Sequence, residues 1–264
     1  MRILNFLFSR SKQEQDKPIR DKLKTRKDFE RVLAEDLDIM ETTKARMDTA
    51  KNINLYMYRS LSYSYILILQ SKYSVDAKID ELRDIYIKSM HYFLQAFNKR
   101  NPIYVDILNY VSLGVLLNIP DNNFRQLIDY VKQMDKQAKP SGWTPDLLLW
   151  FMLNSRLKEQ EKLKYAETLA YPRLYNGLYK VIQAPNAAAA KDALNKYLDR
   201  WYNLNSDAPW YNSHLKDNCY RGYWAWEVAA VAKIMHIDDS DLKNNQYYPY
   251  DMVHWADNET TAKE

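Results

Sequence analysis

The chain has 264 residues, 47% of them hydrophobic and 27% charged, so it is long enough to bury the core of one large or two small domains. It has 22 tyrosines but only 4 glycines. So few glycines exclude folds built on many glycine-turned hairpins or on glycine-rich phosphate loops. The net charge is +4, but the residues from 201 onward hold 10 acidic and 5 basic side chains, so the two ends of the chain predict different surfaces.

The N-terminal run MRILNFLFSRSK contains about six apolar residues, fewer than a secretory signal or a membrane span requires. We expect this run to be a strand or helix packed on the core rather than a surface anchor. The one cysteine, Cys219, has no neighbours at a spacing typical of zinc ligands, which favours a reducing compartment. These features predict a cytoplasmic protein.

Helical spacing of apolar residues runs through the first half of the chain. Residues 17–51 predict one long, charged helix with an apolar face made of Phe29, Leu33, Leu37 and Met40. Further helices are expected at residues 61–73, 82–97 and 104–117, and after Asp121. Ser74 is the expected N-cap of the helix that contains residues 82–97.

Proline and glycine punctuate the middle of the chain in the stretch QAKPSGWTPDLL. We place a domain boundary there, between an N-terminal helical domain of residues 1–139 and a C-terminal helical domain of residues 140–264. Thr144 followed by Pro145 is typical of an N-cap and a first helical position, and it predicts the start of a helix.

The second half of the chain continues with helices. We expect one through Tyr165, one after Pro172, one capped by Asn186 and an apolar one within residues 220–237, followed by a short closing turn. Residues 203–219 predict a polar, aromatic loop. Because no stretch alternates apolar and polar residues as a strand does, the predicted fold is all-α, a two-part helical bundle with no substantial sheet.

Ionisable side chains concentrate in the last fifth of the chain without a diagnostic catalytic spacing. His214 and Cys219 are five residues apart, unlike a metalloprotease or nucleophile motif, so we expect a surface histidine and a buried structural thiol. Glu227 has apolar neighbours that would raise its pKa if it were buried without a partner. It is either a general acid or a structural carboxylate satisfied by Arg221, a tyrosine hydroxyl or an adjacent tryptophan indole.

Two further groups of charged residues can each be interpreted in two ways. Asp238, Asp239 and Asp241 precede an expected helical turn, and acidic side chains are favourable at a helix N-terminus, so we expect capping rather than a divalent-metal site. The basic N-terminal helix and the tyrosines are compatible with nucleic-acid binding. Because that helix interleaves Asp and Glu with its basic residues, a solvated charged face is the expected outcome.

The segments GYWAWEVAAVAKIMHIDDS, residues 222–240, and YYPYD, residues 247–251, resemble the C-terminal signature of the PoNe immunity (PoNi) family. Pieces of the first half, such as YSYILILQSKYS and YVDILNYVSLGVLL, are similar to the N-terminal domain of that family. The similarity extends over residues 20–255. We interpret the motif positions as architectural; they are Gly222, Tyr223, Trp224, Glu227, Lys233, Ser240 and Pro249.

The resemblance implies a two-domain helical antitoxin of the cytoplasm that binds and neutralises a cognate DNase toxin, often one delivered between bacteria by type VI secretion. It implies no enzymatic activity, no catalytic residue, no cofactor, no metal, no direct contact with nucleic acid and no membrane association. The alternatives are a helical regulator that binds nucleic acid or another partner, and a hydrolase that uses Glu227 and nearby histidines.

A DNase needs a basic groove for its substrate, so an inhibitor gains from carboxylates that complement the groove and from aromatic anchors. We therefore expect the acidic region after residue 200 to bind the toxin. The candidate contacts are Asp207, Trp210, Tyr211, Asp217, Asp238, Asp239, Asp241, Tyr248 and Asp251.

Overall fold

A computed structural model describes residues 18–96, 103–136 and 143–255 of the chain. Within these ranges it contains ten α-helices, three short 3-10 helices and no strand, so the all-α prediction is confirmed. The described residues include no helix that is long and apolar enough to cross a membrane. The N-terminal apolar run, together with Pro140 and Gly142 at the predicted domain boundary, lies outside the described residues.

The chain forms two compact units. The first unit comprises the described residues within 1–98 together with a later segment, Pro209–Tyr223. The second unit comprises the described residues within 99–208 and 224–264. We call Pro209–Tyr223 the crossing segment. In this division residues 103–136 belong to the second unit, and a short segment late in the sequence packs with the first two helices of the first unit.

Three helices build the described part of the first unit. Thr25 and Asp28 start the first with a capping box, in which the Asp28 carboxylate accepts from the Thr25 N–H at 3.0 Å. Asn54 starts the second by accepting from the Met57 N–H at 3.0 Å. The helices are α1 (Arg26–Thr49), α2 (Leu55–Ser74) and α3 (Ile79–Ala96).

The predictions for the first unit hold for α1 but not for the start of α3. Phe29, Leu33 and Met40 are buried, and Leu37 packs against the cluster that Leu33 and Met40 form with α2. The apolar face predicted for α1 is therefore confirmed. The prediction that Ser74 caps α3 is wrong, because Ser74 is the last residue of α2 and its hydroxyl donates back to a carbonyl of that helix.

Seven helices build the described part of the second unit, and their starts test the predicted caps. Asn186 accepts from the Ala189 N–H at 2.9 Å and is confirmed as an N-cap. Thr144 is not a cap, because Asp146 accepts from the Leu149 N–H at 2.9 Å instead. The helices are α4 (Tyr104–Leu116), α5 (Asp121–Lys136), α6 (Leu147–Asn154), α7 (Pro172–Ile182), α8 (Ala187–Leu204), α9 (Trp226–Met235) and α10 (Tyr250–His254).

Two expected helices differ from the structure. Near Tyr165 a single 3-10 turn, Glu159–Glu161, is followed by irregular chain until α7 begins at Pro172. The apolar helix expected within residues 220–237 begins only at Trp226. Gly222 has a φ of 106°, a conformation that favours glycine and that interrupts any helix, so the residues before Trp226 form an irregular stretch instead.

Helix α9 is the buried centre of the second unit. Its residues 228–232 are almost completely enclosed, and three of them are alanines, which allows close packing against α4. The Leu116 carbonyl at the end of α4 accepts from the Lys233 ammonium at 3.0 Å and from the Trp255 indole at 2.9 Å. These two donors satisfy a carbonyl that has no partner within its own helix.

Gly177 allows α7 and α8 to approach closely. A Cβ atom at this position would lie 2.6 Å from Cδ2 of Tyr197, whose ring is buried. We expect Gly177→Ala to lower the free energy of unfolding by about 1 to 3 kcal/mol, because the overpacking exceeds the gain in helix propensity. Urea denaturation measures the change, with Asn176→Ala at the exposed neighbouring position as the control. A Gly177→Ala protein as stable as the control would contradict this packing.

Candidate functional site

A buried ion pair holds the crossing segment to α1. The Arg221 guanidinium donates twice to the Asp36 carboxylate, at 2.9 and 2.7 Å, and the Asp36 side chain is only 2% exposed. A bidentate pair of this kind fixes both the distance and the orientation of its partners. It joins residues that are 185 positions apart in the sequence.

Backbone groups of the crossing segment bind the end of α2. The Gln70 side-chain amide donates to the Gly222 carbonyl at 2.7 Å, and the Ser74 hydroxyl donates to the Arg221 carbonyl at 2.8 Å. The positive φ of Gly222 lies at this contact, which explains a glycine at this motif position. Side chains at the end of α2 thus donate to backbone carbonyls of the crossing segment that would otherwise have no hydrogen-bond donor.

Two tyrosines form the aromatic core of the crossing segment. The rings of Tyr220 and Tyr223 meet edge to face, with centroids 4.6 Å apart. The Tyr220 hydroxyl donates to the buried Asp21 carboxylate at 2.5 Å. The Tyr223 hydroxyl accepts from the His214 backbone N–H at 3.0 Å, and Trp210 packs on the Tyr223 ring. The crossing segment is therefore ordered by its own side chains as well as by α1 and α2.

The outer side of the crossing segment presents Leu215, Asp217 and Cys219 to solvent. The prediction of a buried thiol at Cys219 is wrong, because the adjacent Tyr220 takes the inward position. Arg31 of α1 donates to the Asp217 carbonyl oxygen, so this outer side runs along the first turns of α1.

Glu227 lies at the start of α9, in the core of the second unit. Its carboxylate accepts from the Trp201 indole N–H at 2.6 Å, whereas Arg221, one of the expected partners, binds Asp36. Burial raises the pKa of Glu227 to about 7, opposed by the hydrogen bonds to its own backbone and to Trp201. The carboxylate therefore has a structural role, with a partner different from those predicted.

Lys191 of α8 neutralises two of the candidate acids. Its ammonium lies 2.8 Å from Asp238 and 3.2 Å from Asp241, and the Asn195 amide donates to Asp241 at 2.9 Å. The Asp238 carboxylate also accepts from the Ser240 N–H at 3.2 Å, but the N-cap of the turn Ser240–Leu242 is Asp239, whose side chain makes no capping hydrogen bond. Lys191 and the Ser240 groups together lower the pKa of Asp238.

Asp239 points into the second unit, unlike its two neighbours. Its carboxylate accepts from the Tyr248 hydroxyl at 2.6 Å, and Nε2 of His254 lies 2.8 Å from the other oxygen. Asp239 and Tyr248 are both buried. Neither side chain is available to a partner protein, so we remove both from the candidate contacts.

The other seven candidate contacts are exposed or half-buried but are divided between the two units. Those in the first unit are Trp210, Tyr211 and Asp217. Those in the second unit are Asp207, Asp238, Asp241 and Asp251. Of the second group the structure brings Asp238 and Asp241 together around Lys191, and it pairs Asp207 with Arg173 at 2.8 Å.

The described residues contain no group of three or more His, Cys, Asp or Glu side chains that could hold a metal ion. Two shallow pockets, of about 310 and 100 Å³, open beside α5, and neither is lined by Glu227 or by a histidine. The hydrolase alternative requires Glu227 and a histidine in one pocket, and these two pockets do not provide it. The ionisable side chains described above are either packed inside a unit or exposed as charges on its surface.

Two protein-family models match the chain. The N-terminal model of the PoNe immunity protein (PoNi) matches residues 11–129, and the C-terminal model matches residues 144–252. The chain belongs to the PoNi family. The resemblance seen in the sequence is thereby confirmed, and it supports an immunity role. The domain boundary at 139/140 falls between the two matched ranges and stays a prediction.

Comparison with solved structures supports the same fold. The crystal structure of protein PA2201 from Pseudomonas aeruginosa is similar to this chain, with a TM-score of 0.69 and 18% sequence identity over 93% of each chain. At that level of identity the similarity shows the fold alone. Comparison with curated proteins gives no match.

The PoNi motif positions contact other parts of the chain or are buried. The Ala225 N–H donates to the Tyr247 carbonyl at 2.8 Å, which joins the two parts of the motif. Lys233 binds the end of α4, and the Ser240 N–H donates to Asp238. The remaining motif side chains are buried; they are Tyr223, Trp224, Glu227 and Pro249.

Loss of Arg221 should destabilise the protein strongly. Arg221→Met removes both donors from Asp36 and leaves a buried carboxylate without its cation, which we expect to cost about 3 kcal/mol of unfolding free energy. Lys191→Met removes the cation of an exposed ion pair and serves as the control, with a much smaller expected effect. Urea denaturation compares the two proteins. Equal stabilities would contradict the structural role of the Arg221 and Asp36 pair.

Glu227 should make stability depend on pH. Its pKa is about 7 in the folded protein against an ordinary value of 4.5, so folding favours the protonated carboxyl. The unfolded chain then binds fewer protons, and stability falls as the pH rises from about 4.5 to above 7. We expect Glu227→Gln to remove this loss and to raise the unfolding free energy at pH 8 by about 3 kcal/mol relative to wild type.

The measurement is urea denaturation of both proteins between pH 4.5 and pH 8. Glutamine keeps an oxygen that can accept from Trp201, so the two stabilities should converge at the acidic end. Parallel stability curves over the whole range would show that the carboxyl of Glu227 has an ordinary pKa.

Proposed function

We propose that this PoNi protein binds a cognate DNase toxin and prevents it from cutting the DNA of the producing cell. The toxin would be a PoNe nuclease of a polymorphic toxin system, delivered between competing bacteria by type VI secretion. The observation that carries the proposal is the match of both PoNi models to the chain. Because such a toxin acts on DNA inside the cell, we place the protein in the cytoplasm.

The proposed mechanism is stoichiometric binding rather than catalysis. A nuclease must present a cationic groove to the phosphates of DNA, so carboxylates on an inhibitor attract the same surface and compete with the substrate. The exposed candidate acids are suited to this role; they are Asp207, Asp217, Asp238, Asp241 and Asp251. Trp210 and Tyr211 are half-buried and supply aromatic area beside them.

Binding alone accounts for immunity without a reactive group in this chain. The candidate general acid, Glu227, is enclosed in the second unit and bonded to Trp201. A pKa near 7 in a cleft would suggest acid catalysis, but here it follows from burial among packed aromatic side chains. The proposal therefore includes no substrate and no cofactor.

Co-expression tests the proposed function. The nuclease encoded beside this gene should stop growth when expressed alone, and growth should be restored when this protein is produced with it. The purified proteins should elute as one stable complex, and an equimolar amount of this protein should stop cleavage of plasmid DNA by the nuclease. Equal killing in the presence and absence of this protein would refute the proposed function.

A binding assay with DNA addresses the alternative of a nucleic-acid regulator. Phosphate binding would appear as an increase in the fluorescence anisotropy of a labelled duplex that disappears as salt is raised. We expect no such increase for the isolated protein at 50 mM salt. Tight, salt-dependent binding to the duplex would favour the regulator over the immunity protein.

A further inference from the structure

An exposed apolar surface on the first unit has no role in the fold described above. Ile39 of α1 is 50% exposed, and two tyrosines of α2, Tyr56 and Tyr63, are 77% and 43% exposed. Large apolar side chains of this kind, when they lie together on a surface, mark sites of interaction with other proteins. We call these three residues, with Glu35 and Asp38, the α1–α2 face.

The register of the two helices places these side chains together. The short link between α1 and α2 makes the helices antiparallel, and the hydroxyl oxygens of Thr43 and Ser60 lie 3.5 Å apart across them. Ile39 is one turn before Thr43, and Tyr63 is about one turn after Ser60, so both lie at the same level on the same side. Tyr56 lies one turn from Ser60 in the opposite direction. The three exposed side chains therefore lie along one side of the helix pair, with Thr43 and Ser60 between them.

Carboxylates border one end of the α1–α2 face. Glu35 and Asp38 flank Ile39 on exposed positions of α1, and among the described residues neither has an ion-pair partner. Arg31, one turn before Glu35, donates to the carbonyl oxygen of Asp217, so the crossing segment continues the face at this end. The side chain of Leu215 in that segment is 73% exposed and adds apolar area.

The opposite end of the face has a different charge. Arg46 and Arg59 lie toward the turn between α1 and α2. The acidic part is therefore limited to the end beside the crossing segment, where Glu35, Asp38 and Asp217 are.

These carboxylates differ from three candidate acids of the second unit, which each have a cation beside them. Asp238 and Asp241 share Lys191, and Asp207 is paired with Arg173. An acid that already has a cation within 3 Å produces little field beyond it, whereas an unpaired exposed acid attracts a distant cation. The acidic end of the α1–α2 face is therefore a stronger attractor for a cationic partner than these three acids.

We propose that the α1–α2 face docks a basic segment of the nuclease, with an apolar side chain of the toxin packed on Ile39 and Tyr63. Lysines or arginines of the toxin pair with Glu35, Asp38 and Asp217. This inference rests on the proposed function and specifies where the toxin binds. It also extends the contact surface into the first half of the chain, beyond the acidic region after residue 200.

Charge reversal on one helix face tests the electrostatic part. The double variant Glu35→Lys with Asp38→Lys is compared with Asp80→Lys with Asp84→Lys, which reverses two exposed acids of α3 in the same unit. Stopped-flow mixing with the neighbouring nuclease measures the association rate. We expect the α1 variant to associate at least tenfold more slowly at 50 mM salt, with the difference shrinking at 300 mM, and the α3 variant to match wild type.

Removal of apolar contact tests the docking itself. Ile39→Ser and Tyr63→Ala should each raise the dissociation rate of the complex about tenfold or more, while circular dichroism and thermal unfolding verify that the variants fold. Equal effects of the α1 and α3 charge variants, or unchanged dissociation of the apolar variants, would overturn the docking surface and leave the proposed function standing. Failure of the wild-type protein to bind the nuclease would refute both.

The face has one competing occupant, a second copy of this chain. Sedimentation of the isolated protein at micromolar concentration distinguishes the two. A monomer is the expected result. A dimer that Ile39→Ser dissociates would assign the face to self-association and overturn the assignment to the toxin.

Discussion

The buried pair of Arg221 and Asp36 is the constraint on which the first unit depends. It fixes a segment from the last quarter of the chain against α1, and the bonds of Gln70 and Ser74 then follow from the position of the backbone at residues 221 and 222. A buried ion pair adds little net stability compared with an apolar pair of the same volume. Its contribution here is conformational specificity, because a buried carboxylate is compatible only with a conformation that places its cation beside it. The outward orientation of Leu215 and Asp217 is a consequence of that anchoring.

The carboxylates of this protein fall into three groups according to what satisfies them. Those enclosed by hydrogen bonds lie inside the fold and cannot contact a partner; they include Asp21, Asp36, Glu227 and Asp239. Those neutralised at the surface by a lysine or arginine include Asp207, Asp238 and Asp241. Those exposed without a cation among the described residues include Glu35 and Asp38. A count of acidic residues treats all three groups alike, so the acidity of the chain after residue 200 does not show which of its carboxylates are open to a partner.

Local periodicity predicted most of the helices but not their partners. The α1 face and the Asn186 cap depend on residues within one or two turns, and both were predicted. The bond from Trp201 to Glu227 and the pair of Arg221 with Asp36 join distant residues, and no spacing in the sequence signals them. The start of α9 was placed too early because the apolar composition of residues 220–225 is the same in a helix and in an extended segment. Only the glycine at 222, with its positive φ, carried a signal of the difference.

The same limit applies to the candidate contacts. Asp238, Asp239 and Asp241 are indistinguishable by composition, yet one is enclosed by Tyr248 and two share Lys191. Lys191 lies on α8, and its position opposite the acids follows from helix packing rather than from any motif. The sequence could therefore indicate that an acidic, aromatic region existed, while the distribution of its charge required the fold.

An immunity protein must meet two demands that depend on different forces. It has to capture a toxin before the toxin reaches DNA, which requires a fast association, and it has to hold the toxin for as long as the cell is exposed, which requires a slow dissociation. Exposed carboxylates serve the first demand, since their field extends about 8 Å at physiological salt and is insensitive to a whole-chain charge of +4 carried elsewhere. Apolar side chains serve the second, because their contribution arises only after water has left the contact. A surface that places Ile39 and Tyr63 beside Glu35 and Asp38 combines both within two helices, and a rigid helix pair presents them without the entropy cost of ordering a loop.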